Sequence, residues 1–537
     1  MLADTPAQKD RVFLILTGVW LFTALFLFGN PVILDYLHPP KLALLGEENR
    51  SDARPYLGIL AVLGLACVLG FSRLAKPRFR LPAGVPKWLA WLPAAWLGWQ
   101  LLSFLQTENQ AMSLATVIHF ASCLAPFYLG LFVLGRMRLA KLALWGAALG
   151  LMLNLADACV EKFGGLERTR ISILSQLESG KLDPETISAK ARETTGTIPQ
   201  EIEKQIAALP PETAAKVRQL PLELVKRMYS TRLFGHMFYP NTLAGVILLL
   251  LPVSLALLLA QARWGRLRIA LALGLAVVGL ACLYWSGSKA GWLIAIVLLG
   301  AWFLHWPLSN KLKLGLAGAA MVLGLAGFAV KYADYFDRGA TSVGARFGYW
   351  RAAAQTAMEE PLLGTGPGTF QLAYKQHRAQ AYRHASANAQ QADQRIELLR
   401  AELKETGLSH ERRSGLQREL GQLGETLDAA KRARAAIEGA DPTRLTHNDY
   451  LQQASDSGWP GFALYAAFIG GAAWVLARRR LDDPLLIAAR LGLLAWAMQG
   501  CVEFGLYIPA LAWPAWLMLG WLLAGPPNRF DKSAATE

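Results

Sequence analysis

Apolar runs long enough to cross a bilayer recur through this chain and leave little room for any other architecture. They centre in 12–29, 56–71, 88–105, 112–135, 142–160, 238–260, 269–285, 291–307, 313–330, 459–476, 485–501 and 506–524. A hydrocarbon core about 30 Å thick needs roughly 20 apolar residues per helix. The runs therefore predict an all-α polytopic membrane protein with about twelve transmembrane helices. The composition agrees: 54% of residues are hydrophobic and only 17% charged, which excludes a disordered chain.

The charges between the runs test that count. Arg73, Lys76, Arg78, Arg80 and Lys87 follow the second run, and Arg136, Arg138 and Lys141 the fourth. Arg263, Arg266 and Arg268 follow the sixth, Lys311 and Lys313 the eighth, Arg478, Arg479 and Arg480 the tenth, and Arg529 and Lys532 the twelfth. Every even-numbered exit is basic, so those loops and both termini are expected to be cytoplasmic. The formal net charge of +15 then reads as basic residues retained on one side of a membrane, not as a nucleic-acid footprint. Lys9 and Arg11 precede the first run with no small-residue cleavage site after it, so it reads as a retained span.

This topology divides the chain into helices 1–5 (1–160), a first outer loop (161–237), helices 6–9 (238–330), a large outer loop (331–458), and helices 10–12 with a tail (459–537). The first loop is interrupted by Pro199, Pro210, Pro211 and Pro221, so its helices must be short. The second predicts a helical hairpin at about 380–438. Ile396, Leu399 and Leu403 form one stripe; Leu416, Leu420, Leu423 and Leu427 form the other; Gly407 marks the turn. The five cysteines lie in or beside apolar runs at no ligand spacing and read as buried free thiols.

Ionisable residues sort to one face. Asp157 and Glu161 close the fifth run; Arg232, His236 and Asn241 lead into the sixth; Lys289 sits in the turn before the eighth. Arg346 and Arg351 lie beyond the ninth run, His447, Asp449 and Tyr450 just ahead of the tenth, and Glu503 at the end of the eleventh. Ionisable groups beside lipid are costly and mark functional sites. His119 and His305, inside runs, read as structural. Transporters place their sites near the midplane, and proton relays need acids or His within the membrane; neither pattern is present. A site at the outer interface suits a lipid-linked substrate, and several Arg and Lys together suit an anionic head group. There is no Asp-x-Asp and no metal-ligand spacing, so fixed cations are expected to compensate a diphosphate without a metal or other cofactor.

The segment His447-Asn448-Asp449-Tyr450-Leu451, followed by Gly458-Trp459-Pro460-Gly461, resembles the His-Asn-x-x-Leu…Gly-x-x-Gly signature of the O-antigen ligase and polymerase superfamily. Tyr239-Pro240-Asn241-Thr242-Leu243-Ala244-Gly245 is similar to that family's Pro-Asn-x-x-Ala segment, and Ser286-Gly287-Ser288-Lys289-Ala290-Gly291 to its Gly-Ser-Arg-x-Gly turn. Arg346-Phe347-Gly348-Tyr349-Trp350-Arg351 and Pro361-Leu362-Leu363-Gly364-Thr365-Gly366-Pro367-Gly368 are similar to its Arg-x-x-x-Trp…Pro-Leu-Leu-Gly-x-Gly segment. Lys289 departs from the family's Arg, which keeps the charge but loses the bidentate fork. The resemblance covers about 220–475; the hairpin has no counterpart in it.

The resemblance implies a glycosyltransferase of the GT-C class in the bacterial inner membrane. It would move a glycan from undecaprenyl diphosphate to lipid A-core oligosaccharide at the periplasmic face, with inversion. His447 would be the catalytic base. Arg232, Lys289, Arg346 and Arg351 would bind the diphosphate, with Asn241, Asp449, Tyr450 and Glu503 in support. Either Asp449 or Glu503 would orient His447, and His447 would alternatively hold phosphate. A polymerase or a protein O-oligosaccharyltransferase would use the same chemistry on another acceptor. A flippase would need a charged path through spans that here are charge-poor. No interface signal stands out, so a monomer is expected.

Overall fold

A computed structural model describes residues 6–31, 33, 35, 54–72, 81–82, 84–137, 139–184, 198–237, 239–305, 308–337, 341–404, 409–439 and 443–525. Arg73, Lys76, Arg78, Arg80, Arg138, Gly407, Arg529 and Lys532 lie outside the described residues. Among those described, helices occur and no strand does.

A helix occupies each of the twelve apolar runs. The first five are α1 (Pro6–Leu27), α2 (Arg54–Phe71), α3 (Lys87–Phe104), α4 (Gln110–Tyr128) and α5 (Lys141–Val160). The described residues of the first loop include the short helices α6 (Leu166–Glu178), α7 (Gln200–Ala207), α8 (Pro211–Gln219) and α9 (Leu222–Met228). Then come α10 (Pro240–Leu259), α11 (Leu267–Ser286), α12 (Lys289–Phe303) and α13 (Asn310–Asp337). The large loop holds α14 (Thr341–Glu359), α15 (Phe370–Leu403) and α16 (His410–Gly439). The chain returns to apolar helices in α17 (Asp449–Arg478), α18 (Pro484–Gln499) and α19 (Pro509–Ala524). Among the described residues, seven helices, α1, α4, α5, α10, α11, α13 and α17, are long and apolar enough to cross a membrane. The apolar helices α2, α12, α18 and α19 are shorter, and α3 is rich in Trp and carries Pro93. The protein is thus polytopic.

Burial ranks these helices. The apolar window of α13 holds no buried residue, although Tyr332 near its end is buried, whereas nearly every residue of α19 is buried. At 1.5 Å per residue the 16 residues of α19 reach about 24 Å, less than the hydrocarbon thickness. A helix surrounded by other helices need not match the lipid. The packing around α19 is close because small residues face it. A Cβ on Gly130, in the π turn that continues α4, would come within 2.2 Å of the Leu517 carbonyl oxygen. A Cβ on Gly520 would come within 2.0 Å of that of Phe127. Membrane helices lack a hydrophobic drive to associate and rely on such backbone approach. Aromatic rings fill the rest of the core: Trp513 stacks on Trp20 with centroids 5.3 Å apart, and Trp516 lies 5.7 Å from Trp96.

The two long loops follow the sequence's punctuation. Pro199, Pro210 and Pro221 each stand at the N-cap of a helix of seven to nine residues, where a missing N–H costs nothing. Ile173, Leu177, Ile206, Val217 and Val225 give this loop its own small core. In the large loop α15 and α16 pair as a hairpin, with Ile396, Leu399 and Leu416 buried between them. The first arm begins at Phe370, ten residues before the expected start, because Phe370 and Tyr374 are anchored on Tyr349 of α14. The cysteines are free; Cys123 and Cys282 are buried, but Cys501 is exposed, against the expectation of burial.

The tenth apolar helix also starts early. The expected opening at Trp459 is where α17 breaks, at Ser457 and Gly458; the helix itself opens at Asp449. Asn448 is its N-cap, its Oδ1 accepting from the N–H groups of Tyr450 and Leu451 at 3.0 Å. Gly458 has φ 69°, and a Cβ there would lie 2.3 Å from the Leu362 carbonyl oxygen. Only glycine admits the Pro361–Gly368 loop to the break, where Trp459 N–H donates to Pro361 O at 2.9 Å.

Candidate active site

Asn241, His447, Glu503 and Arg346 meet on one carboxylate. Glu503, in the turn after α18, is almost fully buried. Its Oε2 lies 3.0 Å from His447 Nδ1. Its Oε1 accepts from Asn241 Nδ2 at 2.6 Å and from an Arg346 guanidinium nitrogen. Arg232 joins through Asn241, donating from Nη2 to Asn241 Oδ1 at 2.8 Å, while its Nε donates to the Ser286 carbonyl at 2.7 Å. Asn241 is therefore a bridge: it accepts from one cation and donates to the acid that holds the other.

Local folding explains how these residues arrive. Gly287 ends α11 in the left-handed region, φ 62°, and a Cβ there would press to 3.2 Å from Arg232 Nε. That turn exposes the Ser286 carbonyl to Arg232 and lets Ser288 cap α12, its Oγ accepting from Gly291 N–H. Arg232 itself is fixed by its loop: the Glu161 carboxylate accepts from the N–H groups of Phe234 and Gly235 at 2.9 Å. Asn241 lies in the first turn of α10, Lys289 opens α12, and His447 precedes the N-cap of α17. Three helix N-termini thus converge, each carrying a partial positive charge. A lysine at such a terminus is locally unfavourable, a sign that position 289 serves something other than helix stability.

The cluster is rich in cations. Arg232 and Arg346 lie within electrostatic reach of each other and of Glu503, and Lys289 lies within reach of both guanidiniums. Burial would raise the Glu503 pKa, but Arg346, His447 and Arg232 outweigh it and hold the carboxyl below its ordinary value. Burial pulls the Arg232 pKa below its ordinary value, with Glu503 opposing; a guanidinium starts so high that it stays charged. The cluster holds an ionised acid and several cations, which together suit an anion with several oxygens. No group of three or more His, Cys, Asp or Glu side chains that could hold a metal ion occurs among the described residues.

His447 has the arrangement of a base. Glu503, ionised, can only accept, so Nδ1 carries the proton and Nε2 presents its lone pair. The imidazole stacks on Tyr349 at 5.9 Å and meets the edge of Phe504 at 4.7 Å. Its backbone has φ 53°, the only left-handed non-glycine among the described residues. Such a conformation costs on the order of 1–3 kcal/mol and persists only where neighbours over-determine it. Here Thr446 does so: its N–H donates to Gln452 Oε1 at 2.9 Å and its hydroxyl to Asn448 O at 2.7 Å.

Other expected site residues fall elsewhere. Asp449 does not touch His447; its Oδ2 accepts from Leu506 N–H at 3.0 Å, and its Oδ1 is buried with no partner among the described residues. Tyr450 turns to the Ala497 carbonyl and the Tyr465 ring. Arg351 is exposed, five residues beyond Arg346 and so on another face of α14. His119 is buried with Nε2 2.8 Å from Leu506 O, and His305 Nδ1 lies 2.8 Å from Ala301 O. Four contributors had no sequence signal as site residues: Tyr349 and Phe504, which flank the imidazole; Gln499, whose Nε2 donates to Asn241 O at 2.9 Å; and Asp456. The last is buried and accepts from Gly368 and Phe370 N–H, Tyr507 Oη and Gln452 Nε2, at 2.9 to 3.3 Å. It ties the loop after α14 to the helix that follows His447.

Residues 274–396 match a family model described as O-Antigen ligase. Over that segment, under a quarter of its length, the chain is similar to this family. The matched segment holds Lys289, Arg346 and Arg351; Arg232, Asn241, His447 and Glu503 reach the cluster from outside it. No curated protein sequence matches the chain.

Proposed function

We propose that this protein is an O-antigen ligase-like glycosyltransferase of the GT-C class. In this reading it crosses the inner membrane twelve times, with both termini cytoplasmic and the His447 cluster at the periplasmic face. It transfers a glycan from undecaprenyl diphosphate to lipid A-core oligosaccharide. The observation that carries the reading is the Glu503 junction: one buried acid orients an imidazole through Nδ1 and holds a guanidinium beside it.

His447 Nε2 takes the proton of the acceptor sugar hydroxyl as its oxygen attacks the anomeric carbon. The bond from that carbon to the diphosphate oxygen breaks, and undecaprenyl diphosphate leaves with both electrons. A single displacement inverts the anomeric centre. Arg346 and Arg232, with Lys289 alongside, stabilise the charge that grows on the leaving diphosphate, the role of preorganised electrostatics in such a site. Glu503 keeps the imidazole in the productive tautomer. Arg351, remote from the cluster, would meet the substrate only from outside it.

The test is transfer in reconstituted vesicles with EDTA present. His447→Ala is expected to lower turnover by roughly 10²–10⁴-fold, the usual value of general-base assistance. Wild-type turnover in that variant at matched protein level would remove His447 from the chemistry. A strict need for added metal would overturn charge compensation by side chains alone.

A further inference from the structure

The hairpin of α15 and α16 is the largest feature that the transfer chemistry leaves unused, and its charge is segregated along its length. Residues 393–428 carry six cations and eight acids. The cations there pair with acids: Arg395 with Glu419 at 2.8 Å, Arg412 with Glu402 at 2.7 Å, Arg400 with Glu397 at 3.4 Å. The base differs. Between Phe370 and Ala392, and between Ala429 and Gly439, there are six cations (Lys375, Arg378, Arg383, Lys431, Arg432 and Arg434) and one acid, Glu438, while Glu359 of α14 reaches His377 at 3.7 Å. The antiparallel arms bring these together, since Arg378 donates to Ile437 O at 2.7 Å and Arg434 lies over the Tyr382 ring at 5.6 Å. Lys375, Arg383, Lys431 and Arg432 are exposed, and no carboxylate ion-pairs with them among the described residues.

The base also has a defined level. The loop leading into α15 packs on the turn between α3 and α4, with Gly366 against Thr107 and Gly368 against Thr116, so Phe370 starts at the ends of two apolar helices. The hairpin's apolar stripes are used largely between its own arms, so apart from Leu398 its exposed surface is mainly polar and suits water. At 1.5 Å per residue, Lys375 and Arg383 lie about 8 and 20 Å along α15 from Phe370. A phospholipid head-group layer is only about 5–8 Å deep on each side. With α15 upright, Lys375 would lie at the outer edge of that layer and Arg383 beyond it, at the height of a saccharide head. The same base lies beside the candidate site: Tyr374 is 5.3 Å from Tyr349, whose ring stacks on His447.

From this we infer that the base of the hairpin is the docking surface for the acceptor, and that it recognises phosphate groups on the acceptor's saccharide head. The inference rests on the ligase reading above and names what selects its acceptor. The donor is bound by Arg232 and Arg346; the acceptor is held by Lys375, Arg383, Lys431 and Arg432 and delivered toward Nε2 of His447.

The experiment uses full-length protein in neutral-phospholipid vesicles, with acceptor glycolipid intact or phosphatase-treated, at low and high salt. The variant combines Lys375→Ser, Arg383→Ser, Lys431→Ser and Arg432→Ser, all exposed, with thermal melting as the check on folding. Acceptor KM is expected to rise roughly tenfold or more, with kcat and donor KM retained. Phosphatase treatment should bring the wild type to the variant's level. No KM change, a loss equal with both acceptors, or a dependence reproduced by anionic phospholipid alone would overturn the inference. Direct binding of the glycolipid without donor separates the two readings. Phosphate-dependent binding without transfer would sustain the docking surface and remove the ligase assignment; transfer indifferent to phosphate would do the reverse.

Discussion

Glu503 and Asp456 are both buried carboxylates near the start of α17, and they are satisfied in opposite ways. Glu503 faces a guanidinium and an imidazole, with a second guanidinium one residue away through Asn241. Asp456 faces backbone N–H groups, a phenol and an amide, all neutral. The first acid is held by charges that an incoming anion would also engage. The second is held by dipoles that belong to three segments of the fold. A buried acid near a site is thus no guide to its role; the charge of its partners is.

The largest expected effect comes from turning Glu503 into a neutral look-alike. Glu503→Gln presents an amide to His447 Nδ1, which favours the wrong tautomer and moves the lone pair off Nε2. Turnover per folded molecule should fall by about 10²–10⁴-fold, alongside a lower melting temperature at neutral pH from the lost ion pairs; unchanged turnover per folded molecule would make Glu503 merely structural. Next, Arg346→Lys keeps charge but loses the planar fork, and roughly 10–100-fold lower kcat/KM is expected in a donor titration. On the other side of the comparison, Asp456→Asn leaves at least one buried donor facing an amide N–H. Stability should drop by about 1–3 kcal/mol, read by thermal unfolding in detergent, while turnover per folded molecule stays close to wild type. A smaller change follows from Tyr349→Leu, which removes the ring under His447, worth about 0.5–1.5 kcal/mol in transition-state stabilisation, measured as kcat.

Acid titration sharpens the same contrast. The Glu503 pKa is held below its unfolded value, so its ionisation stabilises the fold at pH above the ordinary carboxylate range, near ~4.3. That contribution disappears as pH falls through the lower folded value. Wild-type melting temperature should therefore fall steeply below about pH 4, and Glu503→Gln should flatten that limb. Parallel curves would show that the ion pairs on Glu503 add nothing to stability.

Much of the fold was legible because lipid imposes a simple rule on sequence. The apolar runs became helices, the prolines became N-caps of short helices, and the leucine stripes became a hairpin. The early starts of α15 and α17 were not legible, since they depend on anchoring by Tyr349 and on a cap by Asn448. Polar residues at helix ends likewise named most of the cluster. The choice of Glu503 over Asp449 was hidden, because the meeting of His447 with a residue 56 positions away is made by the packing of α17 against α18 and the turn after it. Arg351 looked equivalent to Arg346 until the helix between them set their faces apart. Tyr349 and Phe504 carry no mark that separates a ring beside an imidazole from a ring in a membrane core.

The burial of α19 bears on how the molecule is made. The ribosome delivers α1, α4, α10, α17 and α18 before the helix that they enclose. Until then the nascent bundle holds a vacant slot lined by Gly130, Trp20 and Trp96, open to lipid or to the insertion machinery. A chain halted just before α19 would keep His447 and Glu503 but lack the helix that joins its halves. Quality control in the membrane should distinguish such a product from the finished protein by that empty slot, well before any substrate arrives.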